Sequence, residues 1–136
     1  MDGERDLARL CMEMDPILDT KTYVYCHFAD FALLDGLVPI CVFREREGLT
    51  AIVEKSDADR LSIPCQFEAK LITLAVHSSL DAVGFLAIIT ATLAQENIPC
   101  NVISAYYHDH LLVPVARAGE AIVLLNELRA VEKRLS

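Results

Sequence analysis

The chain has 136 residues, 54% of them apolar and 24% charged, with 20 acidic side chains against 12 basic ones and a formal net charge of −8. This length suits one compact unit with a shared core, and the acidic balance disfavours nucleic-acid binding, which calls for a basic face. The longest apolar run, residues 82–94, contains Gly84, Thr90 and Thr92 and is too short to cross a bilayer. Residues 1–9 are charged and have no signal-like apolar core, so the expected location is the cytoplasm, with no membrane partner.

In chain order, residues 4–14 place Leu7, Leu10, Cys11 and Met14 on one helical stripe, and Asp15-Pro16 ends that helix because the residue before proline avoids the helical region. A first strand is predicted over 22–28, where Thr22, Val24 and Cys26 alternate with Tyr23, Tyr25 and His27. Residues 29–37 form a connection with room for one helical turn. Strands over 38–44 and 49–54 are joined through Glu45-Arg46-Glu47-Gly48, a hairpin with glycine where a positive φ is wanted. Ser56 is placed to cap a short helix reaching Leu61, and Pro64 marks the passage into the second half.

That half opens on an apolar strand over 71–76 and a polar break, His77-Ser78-Ser79. Asp81 is positioned to cap a helix beginning near Ala82, along which Phe85, Leu86, Ile89 and Leu93 recur at helical spacing. Asn97 tolerates the left-handed conformation that ends helices, and Pro99 keeps the helix from resuming. A strand through Val102, a polar hairpin at His108-Asp109-His110, a strand through Val113 and a last long helix complete the pattern.

The two halves repeat one order of elements, and repeats of this kind define a fold. The expected class is α+β: a ferredoxin-like βαββαβ plait in tandem, its antiparallel sheets covered by helices, with a degenerate domain over 1–65 and a complete one over 66–136. The first half lacks a long first helix, and the helix over 4–14 has the apolar stripe to fill that place.

The run Asp81-Ala82-Val83-Gly84-Phe85-Leu86, followed by a helix, Asn97-Ile98-Pro99 and the strand Asn101-Val102-Ile103-Ser104, resembles the ACT domain, a small amino-acid-sensing module attached to many biosynthetic enzymes. His77-Ser78-Ser79-Leu80-Asp81-Ala82-Val83-Gly84, Tyr106-Tyr107-His108-Asp109-His110 and Glu47-Gly48-Leu49-Thr50 are similar to stand-alone tandem-ACT proteins of unknown function, related to the ACT repeats of CASTOR-type cytosolic arginine sensors. The resemblance covers the chain from about residue 21 onward. It implies a non-catalytic sensor with a small amino-acid effector, bound where ACT units meet in a homodimer, and a regulated protein partner. Asp109, in the hairpin that matches the arginine-sensor repeats, is implied as the residue for a cationic group.

The same loop can be read from its chemistry. A free amino acid brings a carboxylate and an ammonium, and backbone N–H groups at a helix N-terminus suit the carboxylate. This makes Ala82, Val83, Gly84 and Phe85 candidates, with glycine permitting close backbone approach. Ser78, Ser79, Asn101 and Ser104 add hydrogen-bonding side chains, and Val102 and Ile103 carry them on the neighbouring strand. Capping by Ser78, Ser79 and Asp81 and close packing at Gly84 fit the same residues without a ligand, and a protein-interaction module is the alternative function.

No cofactor is expected. His108 and His110 would face one side of a strand and could share a metal, but polar residues between two apolar runs favour a turn there. Ser79, His77 and Asp81 supply triad residue types with nothing to order them as nucleophile, base and orienter, so no catalytic residue is assigned. Cys11, Cys26, Cys41, Cys65 and Cys100 form no C-x-x-C pair and read as reduced thiols serving as small hydrophobes.

Overall fold

The longest strand is the first, and it begins earlier than the alternation of 22–28 suggests. In the computed structural model, which describes residues 3–135, helix α1 (Leu7–Glu13) stops short of Pro16, and strand β1 (Pro16–Phe28) starts at that proline, where a strand tolerates a missing N–H. The other described elements are β2 (Cys41–Glu45), β3 (Gly48–Glu54), α2 (Lys55–Arg60), β4 (Gln66–Leu74), α3 (Phe85–Ala94), β5 (Asn101–Ser104), β6 (Asp109–Pro114) and α4 (Ala118–Leu135), with 3-10 turns at Phe31–Leu34 and Val115–Arg117.

The chain divides into two compact units: a central one, Thr20–Lys70, and a second built from residues up to Asp19 together with those from Leu71 onward. Both boundaries fall inside strands, β1 and β4.

In the central unit the strand order is β2-β3-β1-β4. β1 runs antiparallel to β3, with Val24 opposite Val53 and Cys26 opposite Ala51, and β2 runs antiparallel to β3, with Phe43 opposite Thr50. The alternation puts Val24, Cys26, Phe28, Leu49, Ala51 and Val53 on one face, where they pack with Ala58 of α2. The hairpin turns at Arg46 and Glu47 into Gly48, whose φ is +137°. A Cβ there would lie 2.6 Å from the His27 ring nitrogen and from the Phe28 carbonyl, so glycine serves both the turn and a close contact.

In the other unit the order is β1-β4-β6-β5. Here β4, α3, β5, β6 and α4 follow the ferredoxin-like order, and the fourth strand position is taken by the beginning of β1. The Ala75 N–H donates to the Asp15 carbonyl at 2.9 Å, and Asn101 lies opposite Leu112 in the antiparallel β5–β6 pair. Ile72 and Leu74 of β4, Leu111 and Val113 of β6, and Phe85, Ile89, Leu93, Ala121 and Leu125 of the helices form one core with Leu10, Cys11 and Met14.

That last grouping corrects an expectation. The N-terminal helix does not cover the central unit in place of a missing helix, because Leu10 and Met14 are fully buried among side chains of α3, α4 and the β4–β6 strands. The reason lies on α4, whose buried residues Ala118, Ala121 and Leu125 need a second helix beside them. In the central unit the first-helix place holds only the four-residue turn Phe31–Leu34, with Leu34, Leu37 and Ile63 packed against that core.

Smaller differences have local causes. The strand expected from residue 38 begins at Cys41, after Pro39, and α2 begins at Lys55 with no side-chain cap, so Ser56 lies inside it. Asn97 is left-handed at φ +57°, as its place after α3 suggests.

The cysteines are free: Cys11 and Cys26 are buried, Cys41 and Cys100 half-buried, and Cys65 exposed. Burial pushes the thiols of Cys11, Cys26 and Cys41 above their ordinary pKa, and that of Cys100 up to about 11, so none of these four is poised as a thiolate nucleophile. No helix among the described residues is long and apolar enough to cross a membrane.

Candidate functional site

Beyond β4 the chain leaves the sheet in a polar loop and re-enters regular structure at Phe85. The expected cap is one turn too early: Asp81 does not cap a helix at Ala82 but forms a surface ion pair with Arg5, at 3.4 Å. Gly84 is the N-cap of α3, with φ +94°, and its carbonyl accepts the first helical bond from Ile88 at 3.1 Å. Its positive φ explains the glycine. A Cβ there would meet Leu7 of α1 at 3.5 Å, an ordinary contact, so the strain of a larger residue lies in the backbone.

α3 lacks a side-chain cap bond and has no acidic residue in its first turn. The N–H groups of Phe85, Leu86 and Ala87 therefore keep the donor capacity that a helix start leaves over. These three residues line a cleft of about 150 Å³, together with Ser78, Ser79, Leu80, Ala82, Gly84, Ser104 and Asp109.

Asp109 is the chemical centre of this cleft. The sequence pattern puts a turn at His108-Asp109-His110, but the turn lies earlier: Ala105 N–H donates to the His108 carbonyl at 3.0 Å, and β6 starts at Asp109 itself, opposite Ser104. Tyr106 and Tyr107 at the tip stack edge-to-face at 4.8 Å, and that contact helps to define the tighter turn. Strand alternation then puts Asp109 on the same face as Leu111 and Val113, which line the core. Asp109 is 5% exposed, and its Oδ2 accepts the buried Ser78 hydroxyl at 2.7 Å. No lysine or arginine among the described residues forms an ion pair with it.

Of the candidate ligand residues, the fold gathers Ser78, Ser79, Ala82, Gly84, Phe85, Ser104 and Asp109 around the cleft. It leaves out Val83, which is 85% exposed, and Asn101, Val102 and Ile103. Val102 faces the core, and Asn101 is exposed on the outer strand β5. Phe85 itself is buried in the core, so only its backbone can serve the cleft. Sequence reasoning missed Leu80, Leu86 and Ala87, and the N-terminal contact to the loop. The free first turn of the helix was legible in principle, because three amides follow whatever residue caps it.

His110 lies half-buried on the opposite face, where Nδ1 and the Thr73 hydroxyl share a hydrogen bond of 2.9 Å. Burial first, and the neighbouring His108 second, push its pKa below the ordinary histidine value. The His108 and His110 rings are 6.4 Å apart, and among the described residues no group of three or more His, Cys, Asp or Glu is arranged to hold a metal. Ser79, His77 and Asp81 are not aligned as a triad. The Ser79 hydroxyl accepts from Arg5 and from the Asp81 N–H, while the His77 ring stacks against Tyr107 at 5.2 Å.

Two family models, both described as ACT domain, match the chain, one over residues 2–70 and the other over residues 66–127. A crystal structure of a protein of unknown function from Vibrio cholerae, described as a possible transport protein, is 37% identical, with 92% of this chain and 97% of that one covered at a TM-score of 0.83. The regulatory subunit of aspartate kinase from Thermus flavus has the same fold at 10% identity, with 84% and 96% of the two chains covered and a TM-score of 0.65. An Agrobacterium tumefaciens protein gives 17% identity, 85% and 89% coverage and a TM-score of 0.69. No curated protein matches.

Proposed function

The chain belongs to the ACT domain family, with two modules in tandem, and from that premise we propose that it is a non-catalytic regulatory protein whose effector is a small amino acid or a close relative. ACT domains are regulatory modules that typically bind small molecules. The observation that carries the reading here is Asp109: a buried carboxylate with no lysine or arginine among the described residues paired to it, lining a cleft that also presents the first turn of α3. A buried charge is costly unless it is paired. An ammonium group would supply the missing charge, and the N–H groups of Phe85, Leu86 and Ala87 would hold a carboxylate by hydrogen bonds and dipole. Both ends of a zwitterion thus find partners in a space of about 150 Å³, with Ser79 and Ser104 at its rim.

The outer strand β5 would pair with a second copy, giving a cytoplasmic homodimer in which effector binding and assembly are linked. A regulated protein partner would read out that state.

Calorimetric titration of the protein against the twenty common amino acids tests the reading. One of them should bind. Ala87→Glu should abolish that binding while leaving the melting temperature unchanged or raised, because an acidic residue in the first turn suits the helix but repels a carboxylate. An effector that bound Ala87→Glu as tightly as the parent would place the carboxylate elsewhere. If no amino acid bound the parent, a ligand-free interaction module would be the better reading. That second reading is favoured by outer strand β2 of the central unit, which exposes Ile40 beside it, Val42 and a 66% exposed Phe43.

A further inference from the structure

We propose that residues 3–5 form a strap that sets one wall of the effector cleft, making Gly3, Glu4 and Arg5 positioning residues of that site; the inference rests on the reading of the Ser78–Asp109 cleft given above. The strap runs along the loop after β4 as a parallel bridge between Glu4 and Ser78. The Glu4 N–H donates to the His77 carbonyl at 2.7 Å, and the Ser79 N–H donates to the Glu4 carbonyl at 2.9 Å. These two bonds flank Ser78, the residue whose hydroxyl holds the Asp109 carboxylate. A displacement of the strap is therefore passed through one residue to the group that would meet the ammonium.

Gly3 makes the contact possible. A Cβ at this position would lie 2.6 Å from the Ser78 carbonyl carbon and the Ser79 nitrogen and 2.7 Å from the His77 oxygen. All three are backbone atoms of the wall, so no side-chain rotation relieves the overlap, and any larger residue must push strap and wall apart.

Arg5 adds a second tie. Its Nε donates to the Ser79 hydroxyl at 3.3 Å, and its guanidinium meets the Asp81 carboxylate at 3.4 Å. The same hydroxyl accepts the Asp81 N–H at 3.1 Å, which fixes the loop's own turn. Behind the strap, the Glu4 carboxylate accepts from the Arg5 and Asp6 N–H groups at 3.0 and 2.9 Å, and Asp6 caps α1 through Arg9 N–H. α1 is in turn anchored by Leu10 and Met14. The wall thus stands between the cleft and a second hollow of about 340 Å³, lined by Gly3, His77, Asp81 and Tyr106 on the strap side.

Amide hydrogen exchange followed by NMR on the full chain tests the strap without needing an effector. In Gly3→Ala the Ser79 amide should exchange roughly tenfold faster than in the parent, the scale of one lost backbone hydrogen bond, and in Arg5→Ala about threefold faster. The Leu111 and Val113 amides of the core should keep the parent rate. Parent-rate exchange at Ser79 in both folded variants would overturn the strap. The amino acid that binds the parent should bind Gly3→Ala roughly tenfold more weakly, although none of the cleft residues is changed. Equal binding alongside faster Ser79 exchange would show that the strap holds the wall but does not position the site, and would overturn the inference as stated. Should no amino acid bind the parent, the functional reading fails, and the Ser79 rates alone decide whether the strap holds the wall. If Gly3→Ala does not fold, Arg5→Ala carries both measurements.

Discussion

Each unit has a loop after its first strand and a hairpin beside it, and the two loops treat their backbone donors in opposite ways. In the central unit β1 runs into Asp30, whose side chain accepts the Ala32 N–H at 2.9 Å and leads into a turn of only four residues, Phe31–Leu34. In the other unit β4 runs into the polar loop and Gly84, which has no side chain to offer, and the ten-residue α3 begins uncapped. The hairpins differ in the same sense. The His27 ring shares a hydrogen bond with the Glu47 carbonyl at 2.9 Å, whereas Asp109, at the corresponding hairpin, lines the cleft and accepts the Ser78 hydroxyl. The central loop ties the Ala32 N–H to its own Asp30 side chain, whereas the first turn of α3 has no side-chain cap. A repeated strand order can therefore be kept in both copies while the loop that follows the first strand is built differently in each.

The contrast can be broken most severely at the helix that only one unit possesses. Removing residues 1–15 should destabilise the unit containing α3 and α4 by several kcal/mol, since burying Leu10 and Met14 is worth about 1.5–3 kcal/mol each. A thermal melt at the parent temperature would refute that packing. Leu10→Ala, a milder form of the same test, should cost about 2–5 kcal/mol in urea unfolding.

Next in size is Asp109→Asn, which keeps the shape of the side chain and removes its charge. It should weaken an amino acid bound through its ammonium by about 1.5–3 kcal/mol in titration calorimetry, and an unchanged affinity would mean that Asp109 only ties the loop through Ser78. Asp30→Ala opens the donors of the central unit instead. It should cost about 0.5–2 kcal/mol of stability as a lost cap and leave effector affinity unaltered.

The smallest effect is the pH dependence at His110. Its folded-state pKa is depressed, so the unfolded chain takes up the proton first as pH falls through the ordinary value of 6.5. The stability it confers is fully present above that value and is lost below it. The urea midpoint should fall between about pH 7.5 and about pH 5.5, and His110→Gln should flatten that part of the profile. An identical slope in the variant would assign the effect to another group.

Local chemistry was enough to read much of this molecule. Asn97 was legible because few residues tolerate a positive φ, Gly48 because a glycine closing a charged hairpin marks such a φ, and the strand–helix–strand order because its periodicities differ. The loop 77–84 was recognisable as a polar break for the same kind of reason, since polar residues and a glycine stand between a buried strand and an apolar helix.

What tertiary structure decided are pairings that the sequence cannot count. Glu4 meets Ser78 across more than seventy residues of chain, α1 packs against α4 from the far end, and the beginning of β1 takes the fourth strand position in a unit whose other strands lie from Leu71 onward. The amphipathic stripe of α1 specifies that it must be covered but not by what, because apolar burial is non-directional. Likewise, the position of Asp109 depended on where its hairpin turned. A shift of the turn by a few residues separates a solvated carboxylate from one buried on the core face, because strand alternation reverses at every step.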